Sequence, residues 1–204
     1  LCDNPATVGW RVADMGDIDA VVETMATAFA HDPVWGAYSF PDPVRQPEQS
    51  RRFWRACLEA EMRFPWTWVT ARCEAAAVWI PPGEPEMTPE QEERFAELVE
   101  ELLGPEQAAV VLGAFGLLDR HHPHEPPHYY LSLLATHDDH RGGGIGTALL
   151  GHCLEQIDRE RMPAYLESTN PANDHRYMRH GFRPHGTITL PSGHVVTTMW
   201  RDPR

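Results

Sequence analysis

Several features that mark common functional classes are scarce or missing in this chain of 204 residues. No apolar run approaches the roughly 18 to 20 residues of a membrane-spanning helix, and no signal-peptide core is present. The four cysteines are scattered without a Cys-x-x-Cys pair, which indicates reduced thiols rather than a disulfide or zinc framework. We therefore expect a cytoplasmic protein with no membrane partner and no metal site.

Basic side chains are also scarce, because 17 of them stand against 30 acidic ones and give a formal net charge of −13 at pH 7. Long-range repulsion opposes binding to nucleic acid, whereas a cationic substrate is attracted. The chain is long enough to bury a full core. We expect a single domain over residues 1–204, with an acidic helical insertion at about 84–121.

A run of glycines lies between an apolar, strand-like stretch at 129–135 and a helical pattern that begins at Ile145. The run reads Arg141-Gly142-Gly143-Gly144-Ile145-Gly146. Glycines let an anion approach the main chain, and the first turn of a helix directs unpaired N–H groups and a positive dipole end toward the same place. One such contact contributes only about 0.3 to 1 kcal/mol, so several amides must converge. The run predicts a phosphate site.

Two common phosphate motifs do not fit this run. A Walker A loop requires Gly-Lys-Ser/Thr, but Gly146-Thr147-Ala148 has no lysine. The dinucleotide fingerprint requires glycines at i, i+2 and i+5. Gly142 and Gly144 have Thr147 at i+5, and Gly144 and Gly146 have Leu149 there, so the third glycine is missing in both cases. The pattern that does fit is Arg-x-x-Gly-x-Gly, and the plain alternative is a glycine-rich turn into an ordinary helix.

Hydrophobic periodicity predicts the element order β-α-α-β-β-α-β-α-β-α-β-β, a mixed sheet with helices on its faces. The first strand covers 10–13 and a helix opens at Asp17; Thr88 caps a later helix. The strand-helix-strand unit around the glycine run predicts parallel strands with the run at their carboxyl end. The other predicted elements are helices over 48–62, 105–118 and 173–179, strands over 66–71, 75–80 and 162–167, and a closing hairpin over 182–190 and 194–200.

This element order, with Arg141, Gly144 and Gly146 in its middle, resembles the GNAT superfamily of N-acetyltransferases. The pattern Asn-x-x-x-Tyr-x-x-x-Gly-Phe at 173–182 agrees with it, and from about 8 to 200 the chain most resembles the puromycin N-acetyltransferases and their actinobacterial relatives. The resemblance implies an α/β GNAT fold. Its central mixed, mostly antiparallel twisted sheet has about seven strands, flanking helices and a V-shaped splay between strands 4 and 5.

The resemblance also implies a site for acetyl-CoA as co-substrate. The main chain of Leu134, Ala135 and Thr136 would pair with the pantetheine arm like an added strand, and Asn173 would contact the pantetheine amide. Tyr177 would lie near the thioester sulfur as the catalytic acid. The pyrophosphate would be held by seven loop residues: Arg141, Gly142, Gly143, Gly144, Ile145, Gly146 and Thr147.

Two positions depart from the common pattern of this family. Asp138 stands where a proline is frequent, and Gly143 stands where a lysine or arginine is frequent. The second departure removes a cation, so the resemblance implies CoA binding that depends more than usual on main-chain amides.

The expected reaction is direct attack of a primary amine on the thioester, because no cysteine lies in the matched loop and no Gly-x-Ser-x-Gly elbow is present. Glu167 or His137 could take the ammonium proton. Four aromatic residues could stack on an acceptor or pack in the core: Phe29, Trp35, Tyr38 and Trp54. We expect a small, antibiotic-like or amino-nucleoside acceptor. A protein lysine or N-terminal acceptor, a non-catalytic acyl-CoA sensor and a homodimer stay open.

Overall fold

The computed structural model describes residues 9–204 and contains one seven-stranded sheet. The strand order is β1-β2-β3-β4-β5-β7-β6, and every neighbouring pair is antiparallel except β4 and β5. The strands are β1 (Trp10–Val12), β2 (Thr67–Thr70), β3 (Ala75–Ile80), β4 (Tyr129–Thr136), β5 (Ala164–Ser168), β6 (Arg183–Thr189) and β7 (Val195–Arg201). This confirms the predicted mixed, mostly antiparallel sheet and the parallel pair around the glycine run.

Six α-helices flank the sheet in the described residues, one more than in the predicted element order, because Gly104 with a φ of 77° separates two helices between β3 and β4. They are α1 (Ile18–Phe29), α2 (Gln46–Glu61), α3 (Pro89–Leu103), α4 (Pro105–His121), α5 (Ile145–Arg159) and α6 (Asp174–Arg179). The best-defined start is that of α3, where Thr88 and Gln91 form a reciprocal capping box and Pro89 occupies the first turn. At α1 the predicted start at Asp17 is one residue early, because a 3-10 turn capped by Asp14 precedes the helix.

Some predicted boundaries were wrong for local reasons. Helix α2 begins two residues before the predicted Glu48, since Pro47 fits the first helical turn. Helix α4 continues to His121 instead of ending at 118. Strand β5 begins two residues after the predicted start, because Arg161 has a left-handed φ of 56° and the Met162 amide donates to Ile157 O. One-residue differences affect β1, β2, β4, β6, β7 and α6.

The sheet separates two apolar cores. Helices α1 to α4 cover one face, where Phe53 of α2 contacts Phe95 of α3 and Phe115 of α4. Helix α5 covers the other face with Leu149, Cys153 and Ile157. The acidic insertion therefore contributes its apolar stripe to the main core, and the assignment of one domain to residues 1–204 stays a prediction.

Strand β4 opens the sheet in the middle. It pairs with β3 as far as Thr136, but its pairing with β5 ends at Leu131. Against β3 the register shifts, with Leu131 opposite Trp79 and Leu133 opposite Val78, so Ser132 is an extra, bulged residue. The bulge turns Leu131 toward the α5 core and Leu133 toward the opposite core. Beyond it, β4 and β5 diverge, which confirms the predicted splay.

No helix among residues 9–204 is long and apolar enough to cross a lipid bilayer.

Candidate functional site

The glycine loop presents a row of free main-chain donors at the start of α5. Gly142 and Gly144 have φ values of 87° and 77°, which glycine adopts without strain. The first helical bond runs from Ala148 N–H to Gly144 O at 2.9 Å. Within residues 9–204, none of the six amides from 142 to 147 donates a hydrogen bond. Six neighbouring donors at a helix N-terminus suit a phosphate.

Two contacts hold this loop against its surroundings. A Cβ atom at Gly146 would collide with Thr136 Oγ1, so the first turn of α5 lies directly on the end of β4. The Arg141 guanidinium pairs with Asp138 at 2.8 Å and donates to Ala28 O at 2.5 Å, which fastens the loop to α1. The arginine side chain is therefore engaged within the protein, while the main-chain amides are free.

Three residues of β4 were predicted to pair with the pantetheine arm through their main chain. Two of them have their main-chain polar groups on the open edge of the strand. The His137 amide donates to Glu74 O of the neighbouring turn at 2.9 Å. Because hydrogen-bonded pairs alternate along antiparallel strands, Ala135 directs its polar groups toward β3, whereas Leu134 and Thr136 direct theirs into the splay. The edge they form is available to an extended ligand.

Asn173 and Tyr177 lie around the start of α6. The Asn173 side chain makes no capping bond to that helix. The Tyr177 ring is half-buried and packs edge-on against Phe182, with ring centroids 6.2 Å apart. Burial, with smaller contributions from Asp32 and Asp174, raises the pKa of Tyr177 to about 12. Its hydroxyl is therefore protonated at neutral pH.

A cavity of about 620 Å³ lies on the face of the sheet covered by α1 to α4 and reaches the β4 bulge at Ser132 and Leu133. Apolar rings and carboxylates share its walls. The rings belong to Trp35, Trp54, Phe95, Phe115 and Tyr130, and the carboxylates to Glu61, Glu84, Glu86, Glu92, Asp119 and Glu167. Of the aromatic residues predicted to lie on the acceptor side, Trp35 and Trp54 line the cavity. Phe29 packs against Trp54, with ring centroids 4.8 Å apart. Tyr38 is not among its lining residues.

Glu167 closes one side of the cavity within a polar cluster. Its oxygens accept hydrogen bonds from the hydroxyls of Tyr130 and Tyr165, both at 3.0 Å, and burial raises its pKa. The His122 and His128 rings stack with their centroids 5.1 Å apart. Burial lowers the pKa of His122 to about 4. Burial also lowers the pKa of His128, so these two histidines are neutral near pH 7 and add no positive charge to the cavity.

His137, the other base considered from sequence, lies elsewhere. Its Nδ1 accepts a hydrogen bond from the Asp139 amide at 3.3 Å, and the residue is not among those that line the cavity. In residues 9–204 no cluster of three histidine, cysteine or acidic side chains could hold a metal ion.

Sequence patterns did not predict two elements of this site, the bulge at Ser132 and the buried carboxyl of Glu61. The bulge at Ser132 has no signal in the apolar run of β4, because the shift depends on pairing with β3. Glu61 ends a helical pattern in which acidic residues are common, and only its burial, with 2% exposed, marks it. A carboxylate at an otherwise apolar position of α2, seven residues after Trp54, was the available clue.

Known structures share this fold over nearly the full length. An acetyltransferase from Corynebacterium glutamicum described as histone acetyltransferase HPA2 and related is 24% identical, with a TM-score of 0.65 and 97% of both chains covered. Arylalkylamine N-acetyltransferase 2 from Aedes aegypti is 11% identical, with a TM-score of 0.66, 97% of this chain and all of that chain covered. A chain of the NatC complex bound to Gag peptide and CoA is 13% identical, with a TM-score of 0.55 and 96% and 98% covered.

Identities this low establish the fold alone. Residues 64–182, more than half of the sequence, match the Acetyltransferase (GNAT) family, which uses acetyl-CoA. The match spans β2 through the glycine loop, α5 and β5 to the end of α6, and therefore includes the free amides and the open edge of β4. The chain belongs to the GNAT family of acetyltransferases.

Proposed function

We propose that this acetyltransferase moves an acetyl group from acetyl-CoA to the primary amine of a small molecule by direct attack. The observation that carries the proposal is the acidic, ring-lined cavity that reaches the bulge of β4 beside the open strand edge. A cavity of about 620 Å³ suits a compact ligand. Its carboxylates attract the ammonium form of an amine.

The residues of the loop and strand edge fit acetyl-CoA. The six free amides of 142–147 would hold the pyrophosphate, with Arg141 as their anchor on α1. Leu134 and Thr136 would bond the amide groups of the pantetheine arm, and Asn173 would bond a further one. Such an arm would run along the splay and end near the bulge, where the cavity begins.

Acetyl-CoA supplies the activated acetyl thioester, and this chain's residues manage the protons. Glu167, directly or through water, takes one proton from the substrate ammonium, and the raised pKa of this carboxyl makes it a better base. The amine nitrogen bonds the acetyl carbon as the carbon–sulfur bond breaks. The thiolate receives the Tyr177 hydroxyl proton, and the tyrosine regains one from the nitrogen, so that amide and thiol are the products.

Two measurements on the wild-type protein test this proposal. Calorimetry should give a dissociation constant for CoA well below about 1 mM. Release of the CoA thiol from acetyl-CoA should depend on an added amine. The amine panel contains aromatic monoamines, amino-nucleosides, polyamines and lysine- or N-terminus-bearing peptides. Because the chain has no lysine, acetyl-lysine in a peptide product cannot come from the enzyme itself. Absence of CoA binding would refute the assignment of the loop.

The panel also separates the alternatives. Turnover on peptides alone would favour a protein N-acetyltransferase and overturn the small-molecule acceptor. CoA binding without turnover on any amine would favour a non-catalytic acyl-CoA sensor. Turnover on amino-nucleosides above all others would support the puromycin-like acceptor.

A further inference from the structure

Glu61 is a buried carboxyl with one unused oxygen. It ends α2 with only 2% of its surface exposed, and it lines the cavity. Its Oε1 accepts a hydrogen bond from Ser132 Oγ at 2.9 Å, whereas Oε2 is buried and has no partner in residues 9–204. A buried carboxyl oxygen without a donor is unfavourable, so this site is completed by a donor that the described residues do not supply.

The position of Glu61 matters because its hydrogen-bond partner is the bulged residue of β4. Ser132 directly precedes the strand edge proposed to carry the thioester arm. A donor held by Glu61 therefore lies beside the place where a nucleophile must attack. An ammonium group suits this place, because it brings positive charge and three N–H donors.

The same face of α2 determines what the rest of the ligand is. Trp54, Cys57 and Glu61 are spaced at i, i+3 and i+7, so their side chains lie on one side of the helix. The Trp35 ring meets Trp54 edge-on at 6.3 Å and contacts Phe115 at 4.8 Å. The wall that extends from Glu61 is therefore aromatic and continuous, whereas the exposed carboxylate Glu84 lies on the rim.

We infer that Glu61 binds the ammonium of an aromatic primary monoamine, whose ring lies along the wall formed by Trp35, Trp54 and Phe115. This inference rests on the proposed function and narrows its acceptor to one chemical class. Glu61 acts here as a binding residue for the acceptor, next to the base and the acid already assigned. It also explains a carboxyl in a core position where an apolar residue would pack without cost.

The test compares Glu61→Gln with Glu59→Gln, the same change at an exposed position of α2 that does not line the cavity. With phenethylamine as acceptor at about pH 9, where Glu61 is ionised and the amine is still mostly ammonium, Glu61→Gln should raise KM at least about tenfold, because an ion pair becomes a neutral contact, while KM for acetyl-CoA changes less than about twofold. Glu59→Gln should change both constants by less than about threefold, because this carboxylate is exposed and, among residues 9–204, pairs only with Arg55 at 3.9 Å. An unchanged phenethylamine KM in Glu61→Gln would overturn the inference.

A second measurement needs no variant. In competition with phenethylamine on the wild-type enzyme, 2-phenylethanol, which has the same ring but no charge, should inhibit at least about tenfold more weakly than a second aromatic monoamine. Equal inhibition would refute an ammonium site. If the enzyme acetylates polyamines but no aromatic monoamine, this inference fails while the proposed acetyl transfer to a small amine stands.

Discussion

Two ionisable side chains of the site, Glu61 and Tyr177, lie in environments that favour their uncharged forms. Burial is the main cause for both, and it raises the pKa of Glu61 to about 8 and that of Tyr177 to about 12. The tyrosine therefore remains a proton donor at neutral pH. The glutamate, in contrast, titrates within the range where the enzyme would work.

Replacement of Tyr177 by phenylalanine should lower kcat by about 100-fold, because the leaving thiolate loses its proton donor. CoA affinity measured by calorimetry should stay within about twofold, since the ring and its packing on Phe182 are kept. Tyr129→Phe is the matched control, because that hydroxyl bonds Glu160 at 2.7 Å and has no role in the proposed chemistry. If Tyr177→Phe and Tyr129→Phe have the same kcat, the acid assignment is incorrect.

Glu61 should also make the free energy of unfolding depend on pH. Its folded pKa is raised, so the folded state holds a proton that the unfolded state has lost, and stability must fall as pH rises toward about 8. From about pH 6.5 to about pH 8, wild type should lose about 1 to 2 kcal/mol more than Glu61→Gln.

Denaturant unfolding at several pH values measures this difference. The buried histidines gain a proton on unfolding at the low end of that window, because their folded pKa values are lowered, but this contribution is the same in both proteins and cancels in the difference. The groups whose charges interact with Glu61 among residues 9–204 are Cys57, Arg63 and Glu86. Parallel pH curves for the two proteins would contradict the raised pKa.

At the scale of elements, the contact between α5 and β4 positions the amides of the proposed phosphate site. Gly146 allows the helix to begin directly against Thr136, so that amides from the loop and from the first turn face the same volume. The strand below supplies the open edge. The site is therefore built from a junction of two elements, and a side chain at that junction would separate them.

Gly146→Val should weaken CoA binding at least about tenfold, because the new Cβ collides with Thr136 and displaces the amides of the first turn. Gly143→Val is the control, since a Cβ there meets nothing within 4 Å. It should change the dissociation constant by less than about threefold in the same calorimetric titration. Similar losses in both variants would mean that the loop as a whole, and not this contact, determines affinity.

The start of α3 offers a test of the acidic insertion. Thr88→Ala removes the oxygen that accepts from the Gln91 amide and should destabilise the protein by about 1 kcal/mol. Thr88→Ser keeps that oxygen and should lose less than half as much in denaturant unfolding. If alanine and serine are equivalent, the capping box contributes nothing to stability.

For the whole molecule, net charge and cavity charge have the same sign. The chain carries a formal charge of −13, and its cavity is lined by carboxylates without a lysine or arginine among the lining residues. A cationic acceptor is thus attracted over a distance, while CoA, an anion, must be held by local amides. The two substrates should respond to salt in opposite directions.

Raising NaCl from about 20 mM to about 300 mM should increase KM for a cationic amine by about threefold or more, because the Debye length shrinks from tens of ångströms to less than ten. KM for acetyl-CoA should fall or stay constant over the same range, since salt screens repulsion of an anion. Initial-rate kinetics at several salt concentrations measure both. A parallel increase of both constants would indicate a general salt effect instead.

Local sequence signals predicted most elements of this fold but not the shape of the site. Thr88, Pro89 and Gln91 marked the start of α3 because capping is a matter of a few neighbouring residues. The glycine run predicted a turn into a helix for the same reason. Ser132 and Glu61, by contrast, look ordinary in the sequence, because a bulge depends on the opposite strand and burial depends on helices distant along the chain.

The sequence by itself determined the order of elements, the glycine turn and the excess of acidic charge. Periodicity and backbone freedom are properties of short segments, and net charge follows from the composition of the chain. Only the tertiary structure decided which carboxylates meet in one cavity and where β4 leaves β5. The physical reason is that the proton affinity of a carboxyl and the availability of a strand edge depend on neighbours that folding brings together. The acceptor that we propose depends on those neighbours.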